Sequence, residues 1–144
     1  GKIGITDMNM TRFFLTLEDA IKLVFKATFE SIGGEIFVMK MPTCKIIDLA
    51  HVLIEASNKE NIDIETLGIR PGEKIHELLL SEYESTMTIA YDDEYFVILP
   101  PIHIEGLKEH YSGYKPVDLI DYNSSKELLS KNEIKNMLLR GGFI

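Results

Sequence analysis

A chain of 144 residues with a hydrophobic fraction of 45% fits one domain or a large piece of one, and it carries enough apolar side chains to bury a core. Its 23 acidic against 15 basic residues give a formal charge of -8, which excludes the broad basic face that duplex nucleic acid requires but not a local pair of arginines for a small anion. The one cysteine, Cys44, rules out an internal disulfide and points to a reducing, cytoplasmic setting, and no run reaches the roughly 18 apolar residues of a membrane helix.

Residues 1–7 read as part of a loop, with neither an initiating methionine nor a signal-peptide layout, so the chain is expected to be a fragment of a longer protein. Thr16 is placed to cap a helix from Leu17, with Glu18 and Asp19 in the first turn, where the helix dipole favours negative charge. Ala20, Leu23, Val24 and Ala27 recur at helical spacing, and Gly33-Gly34 stops the pattern. Residues 35–39 form a short apolar run that predicts a buried strand. A second helix is expected over 46–57, with Ile46, Leu49, Ala50, Leu53 and Ile54 as its apolar stripe and His51 exposed. Residues 64–69 suit a strand that delivers Arg70 to a Pro71-Gly72 corner, and 73–80 read as a short helix. The β-rich runs 86–91 and 95–99 flank Asp92-Asp93-Glu94 as a hairpin. Residues 103–122 show no periodicity and are expected as an extended surface segment. Ser130 and Glu133 have the capping-box spacing, opening a last helix with Ile134, Met137 and Leu138 inward and Gly141-Gly142 at its end. The sum is a mixed α/β (α+β) chain with few strands, read as one domain over 1–144. No strand leads into a GxGxxG turn, so the dinucleotide fingerprint is missing.

Arg70 stands where a rigid corner projects a side chain. A guanidinium there takes two phosphate oxygens in a planar fork, and Glu73, three residues on, can accept from two neighbouring ribose hydroxyls. The same spacing also fits an Arg70–Glu73 surface ion pair. Arg12, among Met10, Phe13 and Phe14, needs a partner for a charge in apolar surroundings. That partner is either a phosphate or one of Asp7, Glu18 and Asp19. His51, His76, His103 and His110 lack zinc-ligand spacing, so no metal site is expected. Cys44 is read as structural, although its place ahead of a helix could lower its pKa. Tyr111 and Lys115 have Tyr-x-x-x-Lys spacing, read as coincidence, and no catalytic residue is assigned.

Four stretches in order carry a family resemblance: Ile5-Thr6-Asp7, Met10-Thr11-Arg12-Phe13, Gly34-Glu35-Ile36-Phe37-Val38 and Gly68-Ile69-Arg70-Pro71-Gly72-Glu73-Lys74-Ile75-His76-Glu77. Tyr122-Asn123-Ser124 before the final helix adds a fifth. Together they resemble the C-terminal part of extended short-chain dehydrogenases of the polysaccharide-biosynthesis branch, and most closely the UDP-N-acetylglucosamine 4,6-dehydratases. The resemblance implies a UDP-sugar-binding portion whose Rossmann half, with its NADP or NAD, lies outside this chain. It implies Arg12 and Arg70 on the diphosphate, Glu73 on the ribose, and Ile5 and Thr6 near the uracil. A 4-epimerase of the same branch, or a stand-alone binding domain, shares these features. A face left bare by the absent half would favour self-association.

Overall fold

The computed structural model describes residues 1–144. In chain order the elements are β1 (Lys2–Ile5), β2 (Thr11–Phe13), α1 (Leu17–Glu30), β3 (Ile36–Met39), β4 (Thr43–Lys45), α2 (Ile46–Ala56) and β5 (Asp63–Thr66). Then follow β6 (Leu78–Leu80), α3 (Glu82–Ser85), β7 (Thr88–Ala90), β8 (Tyr95–Ile98), α4 (Leu107–His110), β9 (Lys115–Pro116), β10 (Tyr122–Asn123) and α5 (Lys131–Arg140). This is a mixed α/β chain of two compact units. The first comprises Gly1–Phe14, Pro42–Glu77 and Asn123–Ile144, and the second Leu15–Met41 and Leu78–Tyr122.

In the first unit β1 pairs in parallel with β5, from Lys2 opposite Asp63 to Ile5 opposite Thr66. Residues 1–7 are therefore not the loop expected from their composition. Their partner strand is distant in sequence, and no local pattern reveals such a pairing. β2 runs antiparallel to β4 with Arg12 opposite Cys44. Cys44, Val52, Ile134 and Leu138 form the core here, with Phe14, Leu49, Leu129 and Met137 around them. α2 buries Ala50 and Val52, whereas Leu53 of the expected stripe is 37% exposed. The helix packs against β1 and β4 as well as α5, so its buried face is wider than one stripe. His51 is half-buried. α5 opens as read: Glu133 N–H donates to Ser130 Oγ at 3.4 Å, and Ser130 N–H donates back to the Glu133 carboxylate at 2.8 Å. Caps of this kind stabilise by about 1 kcal/mol. Burial pushes the Cys44 thiol up to about 12, with Asp48 adding to it, so the helix start does not activate it.

The helix expected over 73–80 does not form. Gly72 turns the chain with φ +87, after which 73–77 have no helical structure and 78–80 join β6. Ile75 O accepts from Thr11 N–H at 3.0 Å. This backbone bond across the chain replaces the intrahelical one that local propensity favoured.

In the second unit Asp19 N–H donates to Thr16 Oγ1 at 3.1 Å and starts α1 where the sequence places it. β3, β8, β7 and β9 form one antiparallel sheet with Val97 opposite both Phe37 and Ile89. The hairpin between β7 and β8 is closed by the Asp92 carboxylate, which accepts the N–H groups of Glu94 and Tyr95 at 2.8 Å each. Leu23 and Ala27 of α1 pack on the cluster of Phe37, Ile89, Val97, Leu107 and Tyr111. Segment 103–122 is thus more than an extended surface strap. It contains α4 and β9, and it buries Leu107 and Tyr111. Two anchors four residues apart are too few to register as a helical period. Val24 lies outside the core, and α1 buries no residue completely.

Candidate functional site

The parallel ladder of β1 and β5 continues beyond its strands. Leu67 N–H donates to Ile5 O at 2.8 Å and Gly68 N–H to Thr6 O at 3.1 Å. Ile5 is buried and Thr6 half-buried, so the ladder sets both beside the start of the glycine-rich turn. Gly68 at φ +89 and Gly72 at φ +87 occupy the left-handed region, which a side chain would strain. Arg70, between them, and Glu73, just after Gly72, close a turn. Glu73 N–H donates to Arg70 O at 3.0 Å, and the Glu73 carboxylate accepts Arg70 N–H at 2.9 Å. The surface ion pair that the spacing allowed is not formed. Glu73 spends one oxygen on the backbone and keeps the other, while the exposed Arg70 guanidinium makes no hydrogen bond or ion pair within the chain.

Arg12 sits differently. Its Nη1 donates to Thr11 O at 2.7 Å and to Ile75 O at 3.2 Å, and its Nε lies 3.5 Å from Glu77 Oε1. The carboxylate partner is thus Glu77, not Asp7, Glu18 or Asp19. An ion pair this open contributes at most about 1 kcal/mol, so its main effect is orientation. Beside the arginine is a polar cluster built on the buried Thr11 and Ser124. Thr11 Oγ1 lies 2.8 Å from His76 Nδ1 and 2.7 Å from Ser124 Oγ. Glu77 N–H donates to Ser124 Oγ at 2.9 Å, and Ser124 N–H donates to Glu77 O at 2.9 Å. Sequence reasoning did not assign Thr11, Glu77 or Ser124 to the site. Thr11 and Ser124 are 113 positions apart, and only their presence in the quoted motifs hinted at a shared role.

All five residues singled out from the sequence fall around 67–77 in the first unit: Ile5 and Thr6 at the ladder's end, Arg70 and Glu73 in the turn, Arg12 against the segment that follows. No single residue bridges the two guanidinium groups. The arrangement offers one free cation, one oriented cation and one carboxylate oxygen on an open surface, which suits an elongated anionic ligand with hydroxyls. A groove in this unit, lined by Leu53, Ala56, Lys135, Leu139 and Phe143, includes none of them. No group of three His, Cys, Asp or Glu side chains is placed to hold a metal ion. Tyr111 donates to Glu35 Oε1 at 2.9 Å, and burial followed by that carboxylate raises its pKa, the opposite of what a proton-transfer tyrosine beside a lysine needs. No helix is long and apolar enough to cross a membrane.

Residues 1–99 match the family described as polysaccharide biosynthesis protein, and the chain belongs to that family. It is 36% identical over 139 residues to the inverting UDP-N-acetylglucosamine 4,6-dehydratase of Campylobacter jejuni, covering 92% of this chain and 40% of that protein. It is 34% identical over 140 residues to a UDP-glucose 4-epimerase of Rickettsia rickettsii, covering 96% of this chain and 41% of that protein. The X-ray structure of Pen from Bacillus thuringiensis superimposes with a TM-score of 0.86 at 36% identity, over 99% of this chain and 42% of that one. The chain therefore spans about 40% of the length of the relatives it matches.

Proposed function

We propose that this chain holds the UDP end of a nucleotide sugar for a UDP-N-acetylglucosamine 4,6-dehydratase. The observation that carries the reading is the Gly68–Lys74 turn, with an unpaired Arg70 guanidinium and a Glu73 carboxylate that has one oxygen to spare. Arg70 takes the diphosphate in a fork and Arg12 supports it from the side. Glu73 accepts from the ribose hydroxyls. The ends of β1 and β5, at Ile5 and Thr6, flank the uracil. Bound so, the sugar is fixed relative to the reacting groups, and the binding energy of the handle is spent on orientation.

The chemistry belongs to residues outside these 144. A dinucleotide needs a parallel sheet opening through a glycine turn onto a helix N-terminus. Here the parallel ladder has two strands, and its glycine turn leads into no helix. A Rossmann half elsewhere in the full gene product would hold NADP or NAD, which would supply reversible hydride chemistry for the removal of water from the sugar, and no residue of this chain is assigned to that step. The buried, unpaired Cys44 agrees with a cytoplasmic setting. A 4-epimerase is the second reading, favoured by the Rickettsia relative. Incubating the full gene product with UDP-N-acetylglucosamine and following the sugar by NMR separates the two. A 4-keto-6-deoxy product supports the dehydratase, and a 4-epimer supports the alternative. No turnover of any UDP-sugar would sink both.

A further inference from the structure

Arg12 is held from outside its own strand at two points, Ile75 O and Glu77 Oε1, and both lie on the segment 75–77. Apart from its covalent ends, that segment is fastened by few groups. Thr11 N–H reaches Ile75 O, and Ser124 grips Glu77 in both directions, accepting its N–H and donating to its carbonyl. The two hydroxyls complete the fastening. Thr11 is 1% exposed and Ser124 0%, their oxygens are 2.7 Å apart, and Ser124 Oγ also donates to Thr11 O at 3.2 Å. Thr11 O is in turn an acceptor for Arg12 Nη1. One buried pair of side chains therefore ties β2, the segment 75–77 and the start of the C-terminal stretch into a single knot, and every internal contact of the Arg12 guanidinium is to that knot.

We infer that Thr11 and Ser124 are positioning residues for Arg12: their hydroxyl pair locks the segment 75–77 so that the guanidinium is already aimed when the diphosphate arrives. The inference rests on the UDP reading above. Both hydroxyls are shielded from water: losing Thr11 Oγ1 leaves the buried Ser124 Oγ short of a partner and releases His76, losing Ser124 Oγ strips the acceptor from Glu77 N–H, and in either case the segment must shift to compensate. Displacement of a binding group by about an ångström is enough to weaken a charge-assisted contact. His76, whose Nδ1 rests on Thr11 Oγ1, follows the same shift but does not touch Arg12.

The test uses the full gene product and UDP in a calorimeter. Thr11→Val keeps the shape and removes the hydroxyl, whereas Thr11→Ser keeps the hydroxyl. Thr11→Val is expected to weaken UDP on the order of tenfold, the size of one lost buried polar contact, and Thr11→Ser to stay within about twofold of wild type. In turnover, KM for the nucleotide sugar rises with kcat at saturation unchanged. In an Arg12→Ala background Thr11→Val should cost nothing further, because its effect passes through Arg12. Should Thr11→Val not fold, Ser124→Ala provides the same reading. Unchanged UDP affinity in Thr11→Val, or an equal loss with Arg12 already removed, would overturn the inference and leave the UDP site standing. Unchanged affinity in Arg12→Ala alone would instead overturn the diphosphate role of Arg12 itself.

Discussion

Arg12 and Arg70 carry the same charge in opposite settings. Arg12 is wedged between carbonyls and Glu77, with its side chain 24% exposed. Arg70 projects from a turn whose own hydrogen bonds run through the backbone and Glu73, leaving the guanidinium uncommitted. A held cation is oriented at the expense of donors already used. A free one keeps all five donors but must be ordered by the ligand. The same contrast separates two helices. α5 buries Ile134 and Leu138, whereas α1 is longer and exposes Leu17, Ile21, Phe25 and Phe29 at four-residue intervals, with Phe25 and Phe29 stacked at 6.2 Å. Hydrophobic content alone therefore does not mark what is held; partners do.

The helices give the largest expected difference. Leu138→Ala should destabilise by about 3 kcal/mol, as core truncations do, while Phe25→Ala should stay within about 0.5 kcal/mol in the same thermal unfolding experiment. A bare stripe like that of α1 seeks cover, so the isolated 144-residue chain is expected to self-associate and Phe25→Asp to return it to a monomer. A strictly monomeric wild-type chain in light scattering at high concentration contradicts this. Next comes Arg12→Ala. It removes a charged contact to the ligand, the Glu77 ion pair and one of the two donors at each of Thr11 O and Ile75 O, so UDP affinity should fall on the order of a hundredfold and the melting temperature should fall slightly with it. A loss of affinity without any loss of stability would show that the internal contacts of Arg12 are idle.

The smallest effect is a pH dependence. In the second unit Glu30 is held below the usual carboxylate range, mainly by the Tyr91 hydroxyl and then by Lys26. Burial pushes Glu35 and Asp92 upward, but hydrogen bonds outweigh it: backbone N–H groups and Tyr111 for Glu35, Lys26 and backbone N–H groups for Asp92. All three are lowered on folding. Their stabilisation is complete above the unfolded carboxylate pKa of roughly 4 and disappears as pH falls through the lowered folded values. Melting temperature should therefore drop in acid below about pH 4, and Tyr91→Phe should blunt the drop.

Much of this was legible in the sequence where the signal was local. Thr16, Ser130 and Glu133 mark their helices because a cap is made within one turn. The hairpin around Asp92 was legible for the same reason. Residues 1–7 and 73–80 were misread because their partners are β5 and Thr11, contacts that no window contains. At the candidate site, Arg70 and Glu73 stood out by spacing and Arg12 by its apolar neighbours. Glu77 and Ser124 did not, because a serine in a polar stretch and a glutamate after a histidine look ordinary until the fold sets them beside β2. The bare stripe of α1 was not legible: helical spacing groups Val24 with Ala20, Leu23 and Ala27, and Val24 lies on the exposed face.

The central claim is that the turn from Gly68 to Lys74 grips a diphosphate through Arg70. Calorimetry of UDP and of uridine, on the full gene product and its Arg70→Ala variant, tests it most directly. Arg70→Ala should weaken UDP by about thirtyfold, the worth of a charge-assisted fork, with uridine affinity and melting temperature unchanged. Equal UDP affinity in the two proteins, or a parallel loss for UDP and uridine, would contradict it.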